Sequence, residues 1–241
     1  QKHSKMRVIN TPVFYIPYLV TPSPLRKERK SGFLAPSLSL NFFDTKTSQS
    51  ISTPYYFNIS IDKELLFTPV INYGGGVDSS QRFVFDYNQL LSGGNLKTDF
   101  TFDSNLENEN SNDWLSNASL ITNYNKNLNQ NYRLQIDSAL ETSKNYIQIT
   151  KPNDDLSYTN SLSTNVNIEG FNLKKIDDHL KIGLNYYQTN QENEDNKIIP
   201  TVFPKIRYFS GYTNKNGNLS NNTFEFYNIF RDKSNKVHSK K

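Results

Sequence analysis

From Gly32 onward hydrophobic and polar side chains alternate along the chain, the period-two signature of strands with two unlike faces. Phe83, Phe85 and Tyr87 oppose Arg82, Val84, Asp86 and Asn88, and Leu96, Thr98, Phe100 and Phe102 oppose Lys97, Asp99, Thr101 and Asp103. The rule returns with Tyr132, Leu134, Ile136 and Leu140 against Arg133, Gln135, Asp137 and Glu141, and with Leu180, Ile182, Leu184 and Tyr186 against Lys181, Gly183 and Asn185. Charges of both signs recur on the polar face, which suits a water-filled lumen. At roughly 9 to 11 residues per crossing the pattern predicts about eleven antiparallel strands, an odd number that fits a barrel cut partway round. Its first strand would then pair with a strand outside this sequence.

Connection lengths give a second signal. Those at 60–64, 92–95 and 125–130 read as short, and those at 104–113, 143–156 and 189–199 as longer and rich in Asn, Asp and Glu. Membrane barrels carry short turns at one end and long loops at the other. The stretches 44–49 and 74–79 are shorter than that scheme asks, and 211–218 is longer.

The stretch Ser31 to Ile59 reads as two strands joined by a polar turn. In the first, Leu34, Pro36, Leu38, Leu40 and Phe42 share a face opposite Ala35, Ser37, Ser39 and Asn41; in the second, Ile51, Thr53, Tyr55, Phe57 and Ile59 do so. Each strand contains a proline, Pro36 and Pro54, and proline has no amide proton to give a ladder. A hairpin weakened twice suits a sheet that opens sideways.

Ahead of it, residues 1 to 20 hold two β-like runs, Met6 to Asn10 and Val13 to Tyr18. The second is apolar on both faces, through Val13, Phe14, Ile16, Tyr18 and Leu19, as in a strand buried on both sides or lining a greasy interior. Pro22, Pro24 and the basic residues Arg26, Lys27, Arg29 and Lys30 then break the pattern, so a hinge is expected over 21–30 between a leading segment, 1–20, and a barrel segment, 31–241. The plain reading of the basic run is a solvated linker.

The chain has 241 residues, a formal charge of +4, no cysteine and 13% aromatic residues, among them 15 Tyr and 16 Phe. Disordered chains are poor in aromatics, and no apolar run approaches the length of a membrane-crossing helix. Starting at Gln1, the chain reads as a piece of a longer protein. Its basic balance does not mark a nucleic-acid binder, because the positive residues alternate with acids along strands instead of clustering with aromatics. His3, His179 and His238 are isolated from any catalytic or metal-ligand spacing, and Gly74 to Gly76 lack the helix and Lys-Ser/Thr of a phosphate loop. No enzyme, cofactor or metal site is expected.

The runs PVFYIPY, RKSGFLAPS, TPYYFNI and LLFTPVINY, in that order over about Thr11 to Tyr73, together resemble the outer-membrane LPS-assembly family LptD, and Pro200 to Tyr208 resembles a further segment of it. The resemblance implies that residues 1–20 end a periplasmic β-jelly roll and that a large outer-membrane barrel starts near Gly32. It implies transport of lipopolysaccharide into the outer leaflet through a lateral gate between the first and last strands, with Pro36 and Pro54 as the gate prolines. It further implies as partners a plug lipoprotein like LptE, a periplasmic bridge protein like LptA and the outer-membrane lipids, with Arg26, Lys27, Arg29 and Lys30 placed to meet lipid phosphates and Val13, Phe14, Ile16, Tyr18 and Leu19 as candidates to line the acyl-chain route, or simply to pack the jelly roll. The alternatives that the residues leave open are a diffusion pore or receptor barrel, in which the prolines are incidental, and a soluble carbohydrate-binding β-sandwich, in which the aromatic faces pack together.

Overall fold

A computed structural model describes residues 2–8, 11–18, 29–39, 49–73, 80–105, 117–190 and 194–231. Leu19, Arg26, Lys27, His238 and the triple glycine at 74–76 lie outside the described residues. The leading run forms β1 (Lys2–Val8) and β2 (Thr11–Tyr18), an antiparallel two-stranded sheet of its own.

The remaining strands are β3 (Gly32–Phe33), β4 (Ser37–Ser39), β5 (Gln49–Ser52), β6 (Tyr55–Ser60), β7 (Lys63–Tyr73), β8 (Ser80–Leu91), β9 (Gly94–Asn105), β10 (Asn117–Asn127), β11 (Tyr132–Glu141), β12 (Ser161–Phe171), β13 (Asp178–Thr189), β14 (Thr201–Ser210), β15 (Thr213–Lys215), β16 (Asn218–Ser220) and β17 (Thr223–Phe230). All but β15 and β16, which pair with each other, belong to one 13-stranded sheet ordered β17-β14-β13-β12-β11-β10-β9-β8-β7-β5-β4, with β6 also on β7 and β3 on β6. Since β3 with β4 and β5 with β6 are halves of single crossings, the described residues make eleven crossings. The fold is all-β, as the alternation requires.

By internal contacts the chain divides into two units, residues 1–89 with 98–118, and residues 90–97 with 119–241. In the first unit, the register Tyr55↔Phe67 and Phe67↔Phe85 puts the odd-numbered aromatics of these strands on one face, and Tyr56↔Leu66 and Leu66↔Asp86 puts the even-numbered residues, Asp86 among them, on the other. On the apolar face the rings of Phe67, Phe83, Phe85, Phe100 and Phe102 form a continuous set, with neighbouring centroids 4.8 Å (Phe67 to Phe85) and 5.1 Å (Phe83 to Phe102) apart. Such ring pairs contribute about 0.5–1.5 kcal/mol beyond area burial. On the polar face Arg82 makes a two-point pair with Asp103, at 2.8 and 3.1 Å.

The second unit repeats the arrangement. Leu134↔Ile168, Ile168↔Ile182, Ile182↔Ile206 and Ile206↔Phe226 make an apolar row across five strands. Neighbouring residues make a charged row on the other face, Arg133↔Glu169, Glu169↔Lys181, Lys181↔Arg207 and Arg207↔Glu225. Two ion pairs lie along it, Lys181–Glu169 and Arg207–Glu225, each at 3.0 Å. A parallel row of Asn123, Asp137, Asn165 and Asn185 is joined by side-chain hydrogen bonds between Asn123 and Asp137 and between Asn165 and Asn185. Gly183 falls on this face too, and a Cβ there would strike the Asn167 side chain and the Val166 carbonyl.

Little of the described chain is core. Its buried hydrophobic residues are Ala118, Ala139, Tyr146, Ile147 and Leu162, whereas along the strands Ile168 and Phe226 are each 45% exposed and Phe224 is 57% exposed. A soluble β-sandwich would bury these faces. No described helix is long and apolar enough to cross a membrane.

Candidate lateral seam

The leading crossing breaks at 34–36 and the second at 53–54, so both prolines fall in gaps: Pro36 directly before β4, and Pro54 between β5 and β6. Register explains the first gap. Phe33 faces Tyr55 and Ser37 faces Ser52, so the leading crossing carries one more residue than its neighbour over this stretch. That is a β-bulge, which bends a strand and interrupts its ladder. The extra residue also moves the aromatic face: Phe33 meets the Tyr55 ring edge-on at 4.9 Å, and Leu38 pairs with Ile51. Strict alternation placed Leu34 with Leu38; the bulge puts Phe33 there instead.

The second gap keeps register, since Ser52↔Val70 and Tyr55↔Phe67 lie on the same ladder. What it lacks is a donor. The Leu34 amide donates to the Pro54 carbonyl at 2.9 Å, and residues so facing in an antiparallel pair normally exchange two bonds. Pro54 has no proton to return. Beside the gap, the Ser37 and Ser52 hydroxyls share a 2.6 Å hydrogen bond. Among the described strands β4 ends the sheet order, so this weakened pairing lies at the margin of the described sheet.

At the short-turn end residues 29–31 are tied to the sheet. Asn58 donates its backbone amide to the Ser31 hydroxyl at 2.8 Å and its side-chain amide to the Arg29 carbonyl at 2.9 Å. The Arg29 guanidinium pairs with Glu64 at 2.8 Å, and Tyr56 donates to the same carboxylate oxygen at 2.8 Å. Asn88 reaches its other oxygen at 3.4 Å. Lys30 is exposed. In the adjoining turn the Asp62 carboxyl is held below its ordinary value, chiefly by the Ser60 hydroxyl donating to it. Of the expected route residues, Val13, Phe14, Ile16 and Tyr18 lie in β2, where Phe14 pairs with Met6 and Ile16 with Ser4. Among the described residues no group of His, Cys, Asp or Glu is arranged to hold a metal ion.

Sequence reasoning missed Glu64, Asn58 and Pro69. Pro69 sits inside LLFTPVINY, within β7, and its signal was the one already used for Pro36 and Pro54: a proline in a run that otherwise reads as an inner strand.

An antiparallel meander whose faces are apolar on one side and polar on the other, with short and long connections in turn, is the class of architecture from which up-and-down barrels are built. No family model matches the chain. It is 31% identical over 168 residues, 67% of its length, to the LPS-assembly protein LptD of Shewanella denitrificans, and 40% identical over 81 residues, 34% of its length, to that of Shewanella frigidimarina. With LptD of Photobacterium profundum it shares 31% identity over 127 residues, 52% of its length. On these likenesses the chain belongs to the LptD family. It spans 20%, 10% and 15% of those three proteins respectively.

Proposed function

We propose that this chain is the leading part of the wall of an outer-membrane barrel that delivers lipopolysaccharide sideways into the outer leaflet, through a seam at its first strand. The observation that carries the reading is the defective pairing of the first two crossings: a bulge at Ala35–Pro36, opposite Thr53, and a single bond between Leu34 and Pro54, beside the strand that ends the described sheet. A net hydrogen bond contributes about 0.5–1.5 kcal/mol in water, and lipid offers a broken ladder no replacement partner. Fewer bonds hold the first strand to its neighbour, so that strand yields more easily where the gate between first and last strands would open. The exposed aromatic faces would meet hydrocarbon, and the charged and amide rows would face a wet lumen through which the sugars pass.

Substituting Pro36→Ala together with Pro54→Ala in the full-length protein restores both donors. Delivery of lipopolysaccharide to the cell surface should fall; unchanged delivery would remove the reason for the prolines. In this reading residues 1–20 end a periplasmic jelly roll, and Val13, Phe14, Ile16, Tyr18 and Leu19 line the acyl-chain route. Photo-crosslinking residues at Phe14 and Ile16 should capture lipopolysaccharide during transport, and persistent failure to do so would count against the route. The partners of the working assembly are a plug lipoprotein like LptE, a bridge protein like LptA and the surrounding outer-membrane lipids. A diffusion pore or receptor barrel would use the same polar rows but leaves the paired defects at the seam without a role.

A further inference from the structure

The first crossing is held unevenly along its length. At the short-turn end Gly32 and Phe33 pair with Tyr56 and Tyr55, and the Phe33 ring packs edge-on against that of Tyr55. The chain entering β3 is fastened as well: Asn58 of β6 donates its backbone amide to the Ser31 hydroxyl at 2.8 Å and its side-chain amide to the Arg29 carbonyl at 2.9 Å. Asn58 faces Glu64, and the Arg29 guanidinium reaches that carboxylate, so Arg29 is bound from the polar face of β6 and β7. The Arg29 side chain is 65% exposed, and a pair so solvated holds weakly. The two Asn58 bonds are the firmer tie. Past Phe33 the hold loosens. Leu34 and Pro54 share one bond where a facing pair normally exchanges two. Ala35 and Pro36 bulge opposite Thr53, and β4 resumes the ladder only from Ser37 to Ser39.

We infer that the first strand yields with its foot fixed: Leu34 to Ser39 part from the second crossing while residues 29–33 stay on β6, with Asn58 as the positioning residue that holds them. The inference rests on the lateral-gate reading. A held foot returns the strand to one register after each opening, and a slip of one residue would turn its side chains to the wrong face. Two engineered disulfides in the full-length protein test this, since this chain contributes no cysteine of its own. Phe33 faces Tyr55 in the foot, and Leu38 faces Ile51 beyond the bulge. The bond from Leu34 to Pro54 makes Phe33 and Tyr55 a pair without ladder bonds of its own, where the backbones come closest. Oxidised L38C with I51C should lose lipopolysaccharide delivery and recover it on reduction, while oxidised F33C with Y55C delivers as the unmodified protein treated alike. At equal amounts of protein in the outer membrane, Ser31→Ala with Asn58→Ala should deliver severalfold less, and adding the oxidised F33C with Y55C bridge should restore delivery. Blockage by the foot bridge as complete as that by the bridge beyond the bulge would overturn the fixed foot and leave the gate standing. Full delivery by the Ser31→Ala, Asn58→Ala protein, or a loss that the foot bridge does not restore, would overturn the part given to Asn58. Full delivery with either bridge closed would contradict the gate reading itself.

Discussion

Pro54 and Glu64 act through opposite means on neighbouring ground: one withholds a proton from a ladder, and the other gathers donors from Arg29 and from Tyr56 of the second crossing. Arg29 and Lys30 are adjacent in a basic run, yet only Arg29 is described in an ion pair, at 2.8 Å from Glu64. A phosphate reaching Arg29 must share it with that carboxylate. Cation–phosphate contact suits arginine because its planar fork matches two oxygens at once. If the basic run meets lipid phosphates, reversing the charges of Arg26, Lys27, Arg29 and Lys30 together should lower lipopolysaccharide delivery; intact delivery would leave them a solvated linker. Residue by residue, the alternation was legible because it needs only the two-fold twist of an extended chain. The bulge was not, because one added residue between Phe33 and Ser37 leaves no mark in composition and shows only against the partner strand.

At the scale of elements, strands and short turns followed from the pattern, while the long connections did not. The pattern marks 143–156 as a longer polar connection, and the segment 142–160 folds: α1 (Tyr146–Thr150) and a 3-10 turn (Asp155–Tyr158) pack Ile147 against Ala139 and Leu162, with Ile121 and Leu156 alongside. Glu141, at the end of β11, accepts from the Asn145 and Ile147 amides at 3.0 Å each, which ties the loop to its strand. The signal was the apolar pair Tyr146-Ile147 inside a run of Asn and Lys, too short to show any period. Since Ile147 is fully buried, Ile147→Ala should loosen this loop by about 2–5 kcal/mol and Ile147→Val by only about 0.5–1.5 kcal/mol. Limited proteolysis between Thr142 and Asn160 checks this; cleavage of the alanine variant no faster than the parent would mean that the loop is not held by this contact. The other departure is 211–222, longer than its neighbours at the same strand ends because it contains the β15–β16 hairpin, turned at Asn216 and Gly217, both with positive φ.

At the scale of the whole molecule, apolar side chains along the described strands, Phe224 and Phe226 among them, stand exposed instead of filling a core. The alternating faces were readable from sequence, and the structure adds which strands neighbour which, so that single strands become rows: five apolar residues from Leu134 to Phe226, and five charged ones from Arg133 to Glu225. Neither row was visible along the chain, because register is set between strands. The most direct test is a scan of single spin labels along β8 of the full-length protein in lipid bilayers, read by collision with oxygen, which concentrates in hydrocarbon, and with a water-soluble nickel complex. Labels at Phe83, Phe85 and Tyr87 should favour oxygen and those at Arg82, Val84 and Asp86 the nickel complex, alternating residue by residue. Loss of that alternation, or its inversion, would contradict the claim that the aromatic face of this sheet lies in the membrane.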